Sequence, residues 1–348
     1  MDPDGAILSW ERDKSAVCAR IEQQTATLKI VLKIKNDPFF LGRWIRHHAQ
    51  IVGLRNLIIF DNMSNHPAML RAYQTLAADL QVVRFAGMCN NLHDTTQFPE
   101  LYAALRRSTD CFIFLDADEY LVLLEANNRW RRGTSLLSVL ERNRDVQVFP
   151  AAWLTNVRGT DSRFYCGNDI ETLSQGLRWG KPIIRSSANA SGFINHSTQL
   201  DPALFAPRLV TQFFVLHLLQ LSVEQRIRSN LHKLIAREFI TPDQTAEDVA
   251  AMDASGNNNQ NIRLYVNEIK WLLPMRKRPP VPPVALEPTT MELMPNGQVS
   301  FFSDAERRVV AGYLANADGV AGNALGIPAE REPLVEPVTP ASALTDSS

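Results

Sequence analysis

Apolar positions along this chain fall into short unbroken runs and longer stretches of helical spacing. Thr27–Lys35 (TLKIVLKIK), Asn56–Phe60 (NLIIF), Gln81–Phe85 (QVVRF) and Cys111–Leu115 (CFIFL) predict strands. The last has no alternation and suits a parallel strand covered on both faces. Helix signals lie between them. Pro38 stands at a natural first helical position, with a helix through Ile51, and a second helix runs from Pro67 to about Ala78, after the turn Asp61-Asn62-Met63-Ser64-Asn65. A third runs from about Thr95 to Arg107, and Thr109-Asp110 separates it from the fourth strand. Strands alternating with helices imply crossover units and an α/β class, with a mainly parallel sheet flanked by helices.

Downstream, Ser135–Arg142 reads as a helix and Val146–Leu154 as a strand interrupted at Pro150. Residues 156–180, rich in Gly, Asn, Ser and Asp, predict loops over a site. KPIIRSS from Lys181 and TQFFVLHL from Thr211 give two further strands, and Val223–Glu238 is an amphipathic helix that Ser222 can cap. The polar loop DASGNNNQN, the helix RLYVNEIKWLL and the proline-rich, extended linker KRPPVPPVALEP follow. Ser303 and Glu306 form a capping-box pattern before AERRVVAGYLANA. The expected organisation is an N-terminal extension (1–24), an α/β domain (25–240), a helical extension with the linker (241–326) and a tail (327–348) too poor in apolar residues to order itself.

The strand at Cys111 ends abruptly on Asp116, Asp118 and Glu119. Ligand sites in α/β sheets open beyond such strand ends. On an extended chain, side chains two apart point the same way, so Asp116 and Asp118 can meet one cation while Ala117 points away. Carboxylate oxygens favour magnesium, manganese or calcium. The Asp-x-Asp spacing alone carries little weight, since roughly one such pair arises by chance in a chain of this kind and Asp2-Pro3-Asp4 is another. Placement after a buried strand raises it above the bland alternative of solvated acids at a strand-to-loop junction.

The 36 Lys and Arg balance 37 acids, which removes any global field for nucleic acid. Local basic patches at Arg129–Arg132 and Met275–Arg278 leave peripheral membrane contact open. The four cysteines show no paired short spacing, so neither zinc nor a disulfide framework is indicated and a reducing compartment fits. No apolar run has signal-peptide or membrane-spanning character, and a cytoplasmic location is expected. Neither G-x-x-x-x-G-K-[ST] nor G-x-G-x-x-G occurs, which removes the usual sequence grounds for nucleotide hydrolysis or dinucleotide oxidoreduction.

The succession KND (Lys35–Asp37), WIRHHAQIVGLRNLIIFDNMSN (Trp44–Asn65) and FLDADEYL (Phe114–Leu121) resembles the glycosyltransferase family 2-like and family 92-like proteins. The resemblance covers residues 29–124 well and continues loosely to about Lys233. It implies a GT-A fold binding a nucleotide-sugar through manganese or magnesium. On that resemblance Asp61 accepts from a uracil imide or ribose hydroxyl, and Asn36, Asp37 and Asn62 line the same edge, although helix capping and turn formation explain Asn36 and Asn62 equally well. Asp116 and Asp118 hold the metal against the donor diphosphate, with Asp118 the direct ligand, and Glu119 orients a ligand or the acceptor.

His217 matches the family's His-Tyr-x-x-Lys-Ser segment loosely and is a third metal ligand or phosphate contact, against the alternative of a structural histidine. Leu218 and Leu221 replace the usual Tyr and Lys, so one phosphate contact is missing. Lys181 and Arg185 match a basic strand that neutralises the diphosphate. His47 and His48 are adjacent on a helix and project about 100° apart, so they do not share a metal. The implied activity is transfer of a sugar, most simply from a uridine diphosphate sugar, to a hydroxyl of a glycan or lipid-linked acceptor, as in polysaccharide biosynthesis. Inversion is the default, with Asp161, Asp169 and Glu171 as candidate bases.

Two other classes compete. FIFLDADEYL also resembles the Asp-x-Asp strand of haloacid-dehalogenase phosphatases, with Asp116 as nucleophile. Tyr120 stands where Thr or Val is usual there, and no downstream acidic pair follows a strand. A non-catalytic nucleotide-sugar or glycan-binding protein on the same fold is the other alternative.

Overall fold

The computed structural model describes residues 7–302, apart from 77–78, 126, 158–159, 166–179, 206–207, 220–221, 236 and 278–289, together with residue 307. Five strands form the parallel half of its sheet: β1 (Leu8–Ser9), β2 (Ala26–Ile34), β3 (Leu57–Asp61), β4 (Gln81–Arg84) and β5 (Thr109–Leu115). They stand in the order β1-β4-β3-β2-β5 with every neighbouring pair parallel. Helices α1 (Trp10–Glu22), α2 (Pro38–Val52), α3 (Pro67–Leu76) and α4 (Pro99–Ser108) make the crossovers. The expected α/β class is therefore met.

Helix α2 shows how local sequence sets an element. Asp37 caps it by accepting from Phe40 N, Pro38 opens it, and Gly53 ends it at φ 76°, a left-handed conformation that favours glycine. Its apolar stripe of Phe40, Leu41, Trp44, Ile45 and Ile51 is buried against one face of the sheet. Trp10, Val17 and Ile21 of α1 and Leu101, Tyr102 and Leu105 of α4 bury the other face. Residues 7–22, expected as an extension, thus belong to the core, and β1 adds to the sheet edge. Trp10, Val17 and Ile21 are buried there, and Ile7 and Leu8 pack partly buried against the core.

The second half of the sheet continues beyond β5 with β10 (Gly180–Arg185), β8 (Val148–Asn156), β11 (Phe213–His217), β6 (Glu119–Glu125) and β7 (Arg129–Arg131). Here β10 is antiparallel to both neighbours, β11 is parallel to β8, and β6 is antiparallel to β11 and β7. Strand β8 runs through Pro150 without interruption because Pro150 faces Pro182 of β10 in register. Two prolines cannot exchange ladder bonds, so they occupy a pair that needs none. Gly180 is required by close approach, since a Cβ there would sit 2.1 Å from Ala151 O.

Helix α5 (Ser135–Arg142) packs against β2 and α2, contributing Leu136, Val139 and Leu140 to the core. Helices α6 (Val223–Ile235), α7 (Ala246–Ala251) and α8 (Gln260–Leu272) build a separate apolar cluster around Ile227, Leu234, Val249, Val266 and Ile269. The region expected as a helical extension also returns to the sheet. β12 (Thr290–Leu293) pairs with β13 (Val299–Phe301) and with β9 (Arg163–Tyr165), which pairs with β8. The capping-box pattern at Ser303, nearly all of the proline-rich linker and the tail lie outside the described residues. Among the described residues, no helix is long and apolar enough to cross a membrane.

Candidate functional site

The carboxyl ends of β2, β3 and β5 lie at one edge of the sheet, where Leu32 is level with Leu115 and Ile34 with Asp61. Asp116 to Asp118 turn here between β5 and β6. Glu119 N donates to Asp116 O at 3.1 Å, and Asp116 N donates back to Glu119 Oε2 at 2.8 Å. The chain is therefore folded at this point, and the strand-alternation argument that aimed both aspartates at one cation does not hold. Their carboxylates take different partners.

Asp116 Oδ2 accepts from Lys181 Nζ at 2.9 Å, and Oδ1 lies 3.3 Å from Lys33 Nζ. Lys181 is fully buried and also donates to Asn195 Oδ1 at 2.7 Å, with Glu119 Oε2 at 3.6 Å. Asp118 Oδ2 instead faces His217 Nε2 at 3.6 Å. His217 reaches this place because β11 pairs it opposite Glu119. Glu119 is fully buried, and its second oxygen accepts from Trp153 Nε1 at 2.8 Å. The Trp153 ring lies 4.8 Å from the His217 ring and 5.1 Å from that of His196. Glu119 thus orients Trp153 and closes the acid turn.

The electrostatics follow from burial and these pairings. Burial opposes ionisation of Asp116, but Lys181 and then Lys33 outweigh it and hold its carboxyl well below the usual range. Burial likewise opposes charge on Asp118, yet His217 brings it down to about 2. On His217 burial favours the neutral ring and Asp118 overcomes it, so its pKa is raised. Burial also opposes the charge on Lys181, which Asp116 and Glu119 restore. Glu119 goes the other way, since burial raises its pKa despite Lys181. Asp37 is pushed up to about 6 by burial first and by Asp118 second, while Lys233 pulls against both.

Other expected residues are placed differently. Asp61 is fully buried and accepts from Tyr73 Oη at 3.1 Å and from Ser64 N at 2.9 Å, with Arg84 Nε at 3.5 Å. Contrary to expectation it braces the turn after β3 rather than opening to a base or ribose. Asn62 donates to Phe85 O and Gly87 O, and Asn36 Oδ1 accepts from Asn65 N and His66 N, so both hold loops together. Arg185 lies at the far end of β10, level with Cys111, and donates to the carbonyls of Leu140, Asn143 and Val146. It does not share a ligand with Lys181. Asp161 is exposed and pairs with Arg43 at 3.1 Å. Asp169 and Glu171 lie outside the described residues.

His47 and His48 fasten α2 to β6. His47 Nε2 bonds Leu121 O at 2.8 Å, and His48 Nε2 accepts from Leu121 N at 3.2 Å. Burial holds both rings neutral, which suits His48 as an acceptor. The sequence reading missed Lys33, Asn195 and Trp153. Of these only Lys33 left a local signal, a cation inside an apolar strand.

Among the described residues, no three His, Cys, Asp or Glu side chains group to hold a metal by themselves. The donor set that fits one is the pair Asp118 and His217, an oxygen and a nitrogen at one edge. Metals that bind diphosphates commonly take one or two protein ligands and complete their shell from phosphate and water.

No protein-family model matches the chain, and no curated protein does. Among solved structures, the crystal structure of S. aureus TarS 1-349 aligns over 72% of this chain and 82% of that chain, at 9% identity and a TM-score of 0.32. A likeness this slight carries no argument about fold or function.

Proposed function

We propose that the protein is a metal-dependent glycosyltransferase that moves a sugar from a nucleotide-sugar, of the uridine diphosphate class, to a hydroxyl of a glycan or lipid-linked acceptor. The observation that carries this is the Asp118–His217 pair at the carboxyl edge of the sheet, beside an acid held ionised by two lysines. Asp118 and His217 would hold manganese or magnesium, which supplies neutralising charge to the departing diphosphate.

In the reaction the acceptor hydroxyl oxygen bonds to the anomeric carbon as the bond from that carbon to the diphosphate oxygen breaks. The electron pair leaves with the nucleoside diphosphate, and the hydroxyl proton passes to a base. Asp161 and, outside the described residues, Asp169 and Glu171 are the candidates for that base, all following β8. Lys33 and Lys181 keep Asp116 charged at neutral pH, and Glu119 fixes Trp153 against His217. The pair can thus be held in one geometry before any ligand arrives, which is how an electrostatic site gains most.

Asp118→Asn keeps the shape and removes the charge, so sugar transfer should fall by about 10²-fold or more with little change in melting temperature. Uridine diphosphate binding, measured by calorimetry, should strengthen with manganese and weaken with chelator. Transfer by Asp118→Asn at the normal rate and with normal metal dependence would remove this pair from the mechanism. Metal-dependent binding of the donor with no transfer to any acceptor would make the protein a binding module.

A further inference from the structure

A cavity of about 480 Å³ opens at the opposite edge of the sheet, where β2 and β5 begin and β10 ends. The antiparallel run of β10 sets Arg185 level with Cys111 and lets Ser186 N donate to Asp110 O, while Thr109 is level with Ala26. Ala26 is the first residue of β2 and Ile34 the last, so about 26 Å of strand separates this cavity from the edge that carries the Asp118–His217 pair. Arg106, Arg107 and Arg185 line it, with Asp110 as the one acid among the described lining residues. Lys29 lies behind the wall, fully buried, its Nζ donating to Oγ of the lining residue Ser108 at 2.9 Å. Glu22 pairs with Arg107 and is the acid that acts on Lys29. Arg106 has no carboxylate partner among the described residues. Its Nη1 donates to Ser186 O and Ala188 O and its Nη2 to Ala190 O, and Tyr102 is the titratable group that acts on its charge. Arg185 likewise donates to three carbonyls, from Nε and Nη2, and lies over the Phe149 ring. Carbonyls satisfy these donors but carry no net charge, so Lys29 and three arginines stand against Glu22 and Asp110.

We infer that this cavity binds a phosphorylated polyol of sugar-phosphate size, its phosphoryl group held by Arg106 and Arg185 and its hydroxyls by Asp110, Thr25 and Ser187. The carbonyl bonds fix both guanidinium groups before a ligand arrives and leave Nε of Arg106 and Nη1 of Arg185 without a protein acceptor among the described residues. A planar guanidinium is the side chain best matched to phosphate oxygens. Asp110 decides what else the ligand carries. A carboxylate repels a bare polyphosphate but accepts from the hydroxyls of a polyol. Ser108, Thr109 and Ser186 give their hydroxyl protons to backbone carbonyls, so their oxygens also face the ligand as acceptors. The volume is that of an ordinary small-molecule site. This assignment does not depend on the reaction proposed for the other edge of the sheet.

Calorimetry on the whole chain in chelator, with glucose 6-phosphate, inorganic phosphate and glucose as probes, tests this. Glucose 6-phosphate should bind at one site about tenfold more tightly than inorganic phosphate, and glucose alone should give no signal. Ser187→Asp puts an anion on an exposed lining residue and should abolish glucose 6-phosphate binding with the melting temperature within a few degrees of the parent. Arg106→Gln should weaken that binding by about tenfold. Because Arg106 also braces the carbonyls of residues 186–190, the Ser187 variant decides the matter if Arg106→Gln fails to fold. Asp110→Asn should narrow the preference for glucose 6-phosphate over inorganic phosphate, since it removes a charge that opposes the phosphoryl group and an acceptor for the hydroxyls. Uridine diphosphate with manganese should leave the affinity for glucose 6-phosphate unchanged. A parent that binds no glucose 6-phosphate, a Ser187→Asp variant that binds it like the parent, or its displacement by uridine diphosphate would each overturn the inference. Equal affinities for glucose 6-phosphate and inorganic phosphate would overturn the polyol assignment.

Discussion

Asp37 offers the most direct test of the site's electrostatics. Its carboxyl is partly buried, caps α2 through Phe40 N at 3.4 Å, and is pushed up to about 6 from an ordinary 3.8 by burial and by the Asp118 charge. A raised acid binds its proton more tightly in the folded state, so this stabilising contribution is whole below pH 3.8 and is lost as pH rises through 6. The difference of 2.2 units (6 − 3.8) corresponds to at most about 3 kcal/mol at neutral pH. Because solvent reaches part of the side chain, about 1–2 kcal/mol is the expected effect. Asp37→Asn keeps a side-chain acceptor for the cap and removes the charge.

In urea unfolding followed by the fluorescence of the buried Trp10 and Trp44, with chelator present, the variant should exceed the parent by that amount at pH 7.5. The two should converge near pH 4. A difference of the same size at both pH values would refute the raised pKa. A less stable variant at pH 7.5 would refute the claim that the charge opposes folding here.

Glu268→Ala should destabilise by about 3 kcal/mol in the same assay, because it strands the buried Arg226 guanidinium that it holds at 2.7 and 2.8 Å. Asn230, which also donates to Glu268, loses its partner at the same time. Gly180→Ala should lower stability by about 1–3 kcal/mol, since its Cβ would meet Ala151 O at 2.1 Å and force β8 and β10 apart. Thermal melting checks this, and an unchanged melting temperature would contradict the close approach. The same substitution should weaken manganese-dependent binding, because it displaces the strand that carries Lys181.

Strands β2 to β5 were legible because each is a mainly apolar run and the helices between them carry local start signals, such as Asp37-Pro38 before α2, whereas β1 and α1 fell in what was expected to be an extension. Strand β6 was not, because Tyr120 to Leu124 continue the apolar character of β5 across the acids and nothing local says that the chain changes partners there. The lysines around Asp116 come from positions 33 and 181, and only the assembled sheet brings them together. One misplacement was avoidable from the sequence. Lys181 and Arg185 sit four residues apart on one strand, about 13 Å at extended spacing, too far to grip one diphosphate together. Asp61 was misread because an acid ending a strand looks the same in sequence whether it faces a ligand or, as here, Tyr73 and Ser64.

The acid turn also constrains the sheet. Strands β5 and β6 are separated in the sheet by β10, β8 and β11, which in a flat sheet would hold them about 19 Å apart. Yet Asp116 to Asp118 connect them in a turn closed by a 3.1 Å bond from Glu119 N to Asp116 O. The strands from β5 to β6 must therefore curl, bringing the first residues of β6 back beside the end of β5. That curl places Lys181 of β10, Trp153 of β8 and His217 of β11 on the acids from three intervening strands. The Lys181–Glu119 pair and the Trp153–Glu119 bond double as closure contacts for the curl, since they join β10 and β8 to β6 across intervening strands. Lys33 and Lys181 reach Asp116 from β2 and β10, the two neighbours of β5, and His217 reaches Asp118 from β11, the neighbour of β6, so the turn between β5 and β6 is what brings the two groups of charges together. The site needs the neighbours of both β5 and β6 in place, so a variant that loosens β10 or β11 should lose the site before it loses the parallel core.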